Sequence, residues 1–353
     1  MSAADMKKVE ELVGKVVVDA GAAMSAALVF VGDQLGLWKG LGEGPQTPAE
    51  LAKRTGTVER YVREWLAAMA ASGYLQHDPA SGRFSLTPEQ KLAFAEEGSP
   101  AFLPGMFELI AAMFRDEPKI TAAFRSGKGV GWHEHDACLF RGTERFFRPG
   151  YAANLVASWI PALEGVKEKL ERGVEVADVG CGHGASTILL AQAFPKSRFT
   201  GFDYHPPSIE AARKAARAAG LSEERVKFEV APAKGYPGKG YALVAFFDCL
   251  HDMGDPVGAA AHVRQSLAPD GTWMIVEPFA HDALEANLNP VGRVFYSAST
   301  MICTPASLSQ EVGLALGAQA GEKRLTEVIK KGGFGRVRRA METPFNMILE
   351  ARP

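Results

Sequence analysis

Apolar positions recur at helical spacing near the start of the chain. Val9, Leu12, Val13, Val16 and Val17 follow Lys7, and an alanine-rich run continues to about Leu37. This pattern predicts one or two packed helices, an arm of the kind that serves oligomerisation. Thr47-Pro48-Ala49-Glu50 reads as a capping box with proline in the first turn. The short helix it opens ends at Thr55-Gly56. A second helix carries Val58, Tyr61, Val62, Trp65, Leu66 and Met69, one apolar stripe closed by Gly73. Residues 74–76 and 83–86 flank Asp78-Pro79-Ala80-Ser81-Gly82, a hairpin signature, and Thr87-Pro88-Glu89-Gln90 caps a further helix. Helix, turn, helix and hairpin make a winged-helix module. Residues 100–165 read as mostly helical around a glycine-rich break at 126–131.

From Val174 the rhythm changes. Short apolar runs at 174–179, 198–202, 226–230, 241–247 and 272–277 alternate with helical segments at 185–194, 207–219 and 256–267. That alternation predicts βα units on a parallel sheet. Residues 336–340 and 345–351, separated by Met341-Glu342-Thr343-Pro344, predict an antiparallel hairpin at the sheet's end. The expected fold class is α/β, a seven-stranded Rossmann-like sheet preceded by a mainly helical winged-helix domain. The expected domains are 1–100 (arm and winged helix), 101–170 (helical connector with a substrate lid) and 171–353 (cofactor-binding domain).

Composition narrows the picture little. The 353 residues are 47% apolar and 23% charged, with net charge −2, an ordinary globular balance that gives no electrostatic reason to expect nucleic acid or an anionic membrane. Cys138, Cys181, Cys249 and Cys303 lie far apart without a C-x-x-C pair. Reduced thiols are expected rather than disulfides or a zinc framework. The start of the chain lacks the pattern of a secretory leader. The apolar stretch 20–32, bounded by Asp19 and Asp33, is too short to span a bilayer and is expected as a buried helix. The expected compartment is cytoplasmic, with no membrane partner.

Candidate chemistry centres on Asp178-Val179-Gly180-Cys181-Gly182-His183-Gly184, between an expected strand and a helix opening at Ala185. Ligands of doubly wound sheets bind at the carboxyl ends of strands. Gly180, Gly182 and Ala185 also satisfy a dinucleotide fingerprint. Asp178 separates the two readings, because an acid opposes a pyrophosphate but suits the ammonium and sulfonium of S-adenosyl-L-methionine. The terminal hairpin argues the same way. Asp203, at the end of the second strand, is placed to hold ribose hydroxyls. The bland alternative is a helix cap ahead of Pro206-Pro207.

On these residues, and on Val276-Glu277-Pro278 ending the fifth strand, residues 174–353 resemble class I S-adenosylmethionine-dependent methyltransferases. The whole chain is similar to small-molecule O-methyltransferases with an N-terminal winged-helix dimerisation domain, and closer to a bacterial branch sometimes described as transcriptional regulators. Asp248-Cys249-Leu250-His251-Asp252-Met253-Gly254-Asp255-Pro256 resembles the L-H-D-W-S-D motif of that family, with Met253 in place of tryptophan. The resemblance implies a homodimer that methylates a small molecule, with S-adenosyl-L-homocysteine as product and His251 as general base. Asp252 and Glu277 would orient that base. The expected cofactor contacts are Asp178, Gly180, Cys181, Gly182, Gly184, Asp203, Tyr204, Phe247 and Asp248.

Trp132-His133-Glu134-His135-Asp136 has residue types that suit a metal, but no zinc spacing and no distant pair completes it. No metal is expected there. A lid is the preferred reading, with Trp132, His133 and Phe147 on one pocket wall and Tyr296 and Cys303 on another. The bland alternative for each aromatic is plain core. A DNA-binding regulator that senses a ligand is the competing function. Between residues 20 and 91, however, seven basic residues (Lys39, Lys53, Arg54, Arg60, Arg63, Arg83, Lys91) meet seven acidic ones (Asp33, Glu43, Glu50, Glu59, Glu64, Asp78, Glu89). A phosphate-binding face needs an excess of cations. A fold that binds the cofactor without transferring methyl is a third reading, opposed by the presence of both Asp178 and Asp203.

Overall fold

The computed structural model describes residues 4–353. It divides into two compact units, one running to Ala112 and including Arg141–Pro149, the other comprising Met113–Phe140 and Gly150–Pro353.

The first unit holds α1 (Met6–Gln34), α2 (Leu37–Gly42), α3 (Pro48–Thr55), α4 (Glu59–Ala71), the hairpin β1 (Gln76–Asp78) and β2 (Arg83–Ser85), and α5 (Pro88–Phe94). Both expected capping boxes form, Thr47 with Glu50 and Thr87 with Gln90. Trp38 anchors the core. Its ring stacks on Phe94 at 4.6 Å and meets Trp65 edge-on at 4.7 Å, and its indole N–H donates to the Val29 carbonyl at 3.0 Å. On α4, Val62, Trp65, Leu66 and Met69 are buried as the stripe predicts, but Tyr61 is 79% exposed and Val58, the N-cap, 62%. The helix covers one face only, and both residues fall outside it.

α1 departs from expectation. Only Ala26, Val29 and Gly32 are buried, so residues 20–32 are not a core helix. Its C-terminal part rests on α2 and α4, while Val13, Val16, Val17, Val18 and Met24 stand more than half exposed. At 29 residues, α1 is long and apolar enough to cross a membrane by length and composition.

α6 (Pro104–Ser126) and α7 (Cys138–Asn154) pass from one unit to the other, so the residues expected as a separate connector are divided between them. The second unit continues through α8 (Ile160–Ala162), α9 (Val166–Arg172), β3 (Glu175–Val179), α10 (Ala185–Ala193), β4 (Arg198–Asp203), α11 (Pro206–Ala218), β5 (Val226–Val230), β6 (Tyr241–Phe247), α12 (Pro256–Ser266) and β7 (Leu267–Pro278). Then come α13 (Pro290–Ala298), α14 (Thr304–Leu308), α15 (Gly321–Lys331), β8 (Arg336–Glu342) and β9 (Asn346–Arg352). The sheet order is β5-β4-β3-β6-β7-β9-β8. All pairs are parallel except those of β9, which lies antiparallel to both β7 and β8. Covered on both faces, β6 is apolar throughout and β7 is buried from Gly271 to Pro278, as central strands must be. The chain reverses strand order beside β3, which opens a crevice at the carboxyl ends of β3, β4 and β6.

Candidate active site

The glycine loop leaves β3 at Val179 and is pinned to the end of β4. The amides of Gly180 and Cys181 both donate to the Phe202 carbonyl, at 2.8 and 3.0 Å, and the Gly182 amide donates to Asp203 Oδ2 at 3.0 Å. Gly182 has φ +53 with open space where a Cβ would point, so a ligand can lie against bare backbone. Gly184 has φ +80 and sits where a Cβ would strike the Phe228 ring at 2.7 Å. Cys181 is buried, with its sulfur against Gly201.

Asp178 is 1% exposed. Ser186 and Thr187, in the first turn of α10, both donate to its Oδ2 at 2.6 Å, while Oδ1 is buried with no hydrogen bond. Burial pushes its pKa up to about 6 against the pull of the two hydroxyls. A buried, unsatisfied carboxylate oxygen costs on the order of 1–3 kcal/mol or more unless a donor arrives. Asp203 closes the other side. Its Oδ1 takes the His205 amide at 2.9 Å, and each oxygen keeps a lone pair for a diol. An orphaned acid, a bare glycine backbone and a second anchored acid match what S-adenosylmethionine presents: an ammonium, a chain that must lie close, and ribose hydroxyls. Tyr204, next to Asp203, is 44% exposed.

At the end of β6, Phe247 packs against Tyr151 at 5.3 Å. Asp248 follows at φ +50, an uncommon conformation for a residue with a side chain. Its carboxyl, expected as a cofactor contact, is engaged by the Tyr151 hydroxyl at 2.7 Å and Asn346 Nδ2 at 3.1 Å. Burial, then the charge of Glu277, pushes the Asp248 carboxyl up to about 7.

His251 stands one turn further on, 3% exposed. Its Nδ1 lies 2.5 Å from Glu277 Oε2, and Glu277 Oε1 accepts the Leu250 amide at 2.9 Å. Both oxygens of that carboxylate are thereby fixed. Nε2 faces Asp252 Oδ1 at 3.2 Å, with Cys303 beside them. Burial works against a charge on His251, yet Glu277 and then Asp252 outweigh it and hold its pKa well above the ordinary histidine value. The sequence set these three residues together, and the structure places them in one buried cluster.

The segment before α7 holds a pair that sequence reading missed. His135 Nδ1 lies 2.9 Å from Asp116 Oδ2, and its Nε2 is buried without a hydrogen bond. Of the two histidines, His135 is the buried one; His133, expected on the pocket wall, is exposed and folds back over Gly131. Trp132 meets Phe140 at 5.5 Å, and Phe140 lies 4.7 Å from the His205 ring, which carries this segment to the end of β4. The amide of Val130 donates to the Pro305 carbonyl, tying the same segment beside Cys303. Tyr296 is half-buried on α13. Phe147 belongs to the first unit, edge-on to Phe146 at 4.9 Å.

The strand order, the antiparallel β9 and the acid-flanked glycine loop define a class I methyltransferase fold. Comparison with known proteins agrees. Residues 170–333 match a methyltransferase-domain family, and residues 23–95 match the Rv2258c-like winged HTH domain. The Mitomycin biosynthesis 6-O-methyltransferase of Streptomyces lavendulae is 23% identical over 331 residues, covering 90% of this chain and 88% of that protein. The structure of the Mitomycin 7-O-methyltransferase MmcR superimposes with TM-score 0.70 at 20% identity, covering 99% of each chain. Human N-acetylserotonin methyltransferase, solved with S-adenosylmethionine, gives TM-score 0.72 at 17% identity over 100% of this chain and 99% of that one. The chain is an S-adenosylmethionine-dependent methyltransferase with an Rv2258c-like winged helix-turn-helix domain.

Proposed function

We propose that the protein methylates a hydroxyl oxygen of a small molecule, with His251 as the general base. The observation that carries this is the buried His251–Glu277 contact at 2.5 Å. Nδ1–H donates to Glu277, which fixes the tautomer and leaves Nε2 to take the acceptor's proton. Bound S-adenosylmethionine supplies the methyl group from its sulfonium. Asp178 Oδ1 takes the ammonium of the methionine end, the Gly182 backbone lets that chain lie close, and Asp203 holds the ribose. Tyr151 and Asn346 hold Asp248, so the turn that carries His251 starts from a fixed point. Trp132 and Phe140 offer flat apolar surface to an aromatic acceptor, a chemistry in keeping with relatives named as mitomycin O-methyltransferases.

The winged helix is read as a dimerisation module rather than a DNA reader. On α4, Arg60 pairs with Glu64 and Arg63 with Glu59, each at 2.5 Å, and Arg83 pairs with Glu50. These cations are already neutralised. The exposed apolar side chains of α1 are a natural seam for a second copy of the chain. The acceptor is identified by label transfer from methyl-labelled S-adenosylmethionine to a panel of phenols, hydroxyquinones and aromatic amines. Label on oxygen supports the reading, and label confined to nitrogen or carbon overturns it.

A further inference from the structure

The corner around His251 holds a donor set that proton transfer alone does not require. His251, Asp252 and Cys303 each offer one ligand atom, and these atoms lie within 4.8 Å of one another. Asp252 Oδ1 is buried without a hydrogen bond. The backbone beneath is clamped: Gln310 Nε2 donates to the Asp252 carbonyl at 3.0 Å, Ser307 Oγ to the Met253 carbonyl at 2.8 Å, and the Gly254 amide to Gln310 Oε1 at 3.0 Å. The turn after β6 and the stretch from Cys303 into α14 are therefore held in fixed register, and the three ligand atoms converge by construction.

Imidazole nitrogen, carboxylate oxygen and thiolate sulfur are the donors zinc takes. Ligands of a tetrahedral ion at 2.0–2.3 Å sit roughly 3.3–3.8 Å apart. His251 Nε2 and Asp252 Oδ1 are already 3.2 Å apart, and with all three atoms within 4.8 Å of one another Cys303 has to close in by at most about 1 Å. Glu277 on the far nitrogen of His251 is the carboxylate–histidine arrangement that orients metal-bound imidazoles. His135 repeats it. Its Nδ1 is held by Asp116 and its Nε2 is buried without a hydrogen bond.

We propose that His251 Nε2, the Asp252 carboxylate and Cys303 Sγ form a three-donor zinc-type site whose occupancy switches methyl transfer off. Binding releases the Cys303 thiol proton, and any proton on His251 Nε2, to solvent. The inhibition rests on the reading of His251 as base, since the ion and the acceptor's proton compete for one nitrogen.

The test is a cobalt(II) titration of the chelator-treated full-length protein, followed by label transfer from the zinc form to the acceptor found in the panel. A stoichiometric thiolate-to-cobalt charge-transfer band is expected, displaced by zinc, lost in Cys303→Ser and retained in Cys138→Ser. Calorimetric binding of S-adenosylhomocysteine shows that each variant is folded. No band in the wild type, or a band that survives Cys303→Ser, overturns the site while leaving the base reading intact. A Cys303-dependent band whose zinc form still transfers label at the full rate overturns the inhibition and, with it, His251 as the base.

Discussion

Glu277 spans two functions with one carboxylate: Oε1 holds the backbone of Leu250 and Oε2 holds Nδ1 of His251, at 2.9 and 2.5 Å. The backbone contact fixes where the turn after β6 lies, and the ring contact leaves Nε2, which faces Asp252, as the nitrogen that can take a proton. Glu277 also opposes the effect of burial on His251, because its charge favours the imidazolium. The base form of His251 therefore accumulates only as pH rises above the ordinary histidine range.

Glu277→Gln removes that charge but keeps an acceptor for the Leu250 amide. The His251 pKa should fall, so the rise of kcat with pH should move to lower pH, while the plateau drops because the tautomer is less firmly held. A pH–rate profile of the two proteins checks this. An unmoved profile would separate Glu277 from the base.

Asp178 should bind the cofactor's ammonium only when ionised. Its pKa stands near 6, raised chiefly by burial, so affinity for S-adenosylhomocysteine should weaken as pH falls through that value. Asp178→Asn should weaken binding roughly 10- to 150-fold, the worth of a hydrogen bond to a charged group, about 1.5–3 kcal/mol. It should also lose the pH dependence. Calorimetry between pH 5 and 8, a window of about one to two units around that value, measures both.

Asp248 makes a stability prediction of definite sign. Its folded pKa is near 7 against an ordinary 3.8, so between those values the folded protein holds a proton that the unfolded chain has lost. Stability from this group is full below the lower value and is lost as pH rises through the upper one. Asp248→Asn, which mimics the protonated form, should flatten the decline in Tm across that window. A melt series in which both proteins decline alike would contradict it.

The apolar side chains of α1 make an oligomer prediction. Val13→Glu with Val17→Glu places charges at positions that are 56% and 66% exposed, away from the core around Trp38. The double variant should run at half the native mass in light scattering with an unchanged fold. A wild-type monomer would remove the seam.

The sheet was legible because its signals are local. Alternating apolar runs and helical segments set β5 and β6 to the residue, and the short Met341–Pro344 link marked the antiparallel β9. Asp178, Asp203 and His251 were legible because each ends a strand or lies in a motif beside one. What was missed is long-range or outward. Nothing near Asp116 announces a partner at His135, and the bonds from Tyr151 and Asn346 to Asp248 join segments nearly 100 residues apart in sequence. α15 carries Leu325, Val328 and Ile329 at helical spacing and could have been marked. For α1, periodicity registered an apolar face but not what covers it, and the stretch taken for core is largely uncovered in this unit.

The most direct measurement is the turnover of His251→Ala beside its affinity for S-adenosylhomocysteine, using the acceptor found by label transfer. Loss of the base should cut kcat by about 10² to 10⁴ and leave the Kd within a factor of about two, a free-energy change well under 1 kcal/mol. Full turnover in a variant that still binds S-adenosylhomocysteine would contradict the account and take His251 out of the mechanism.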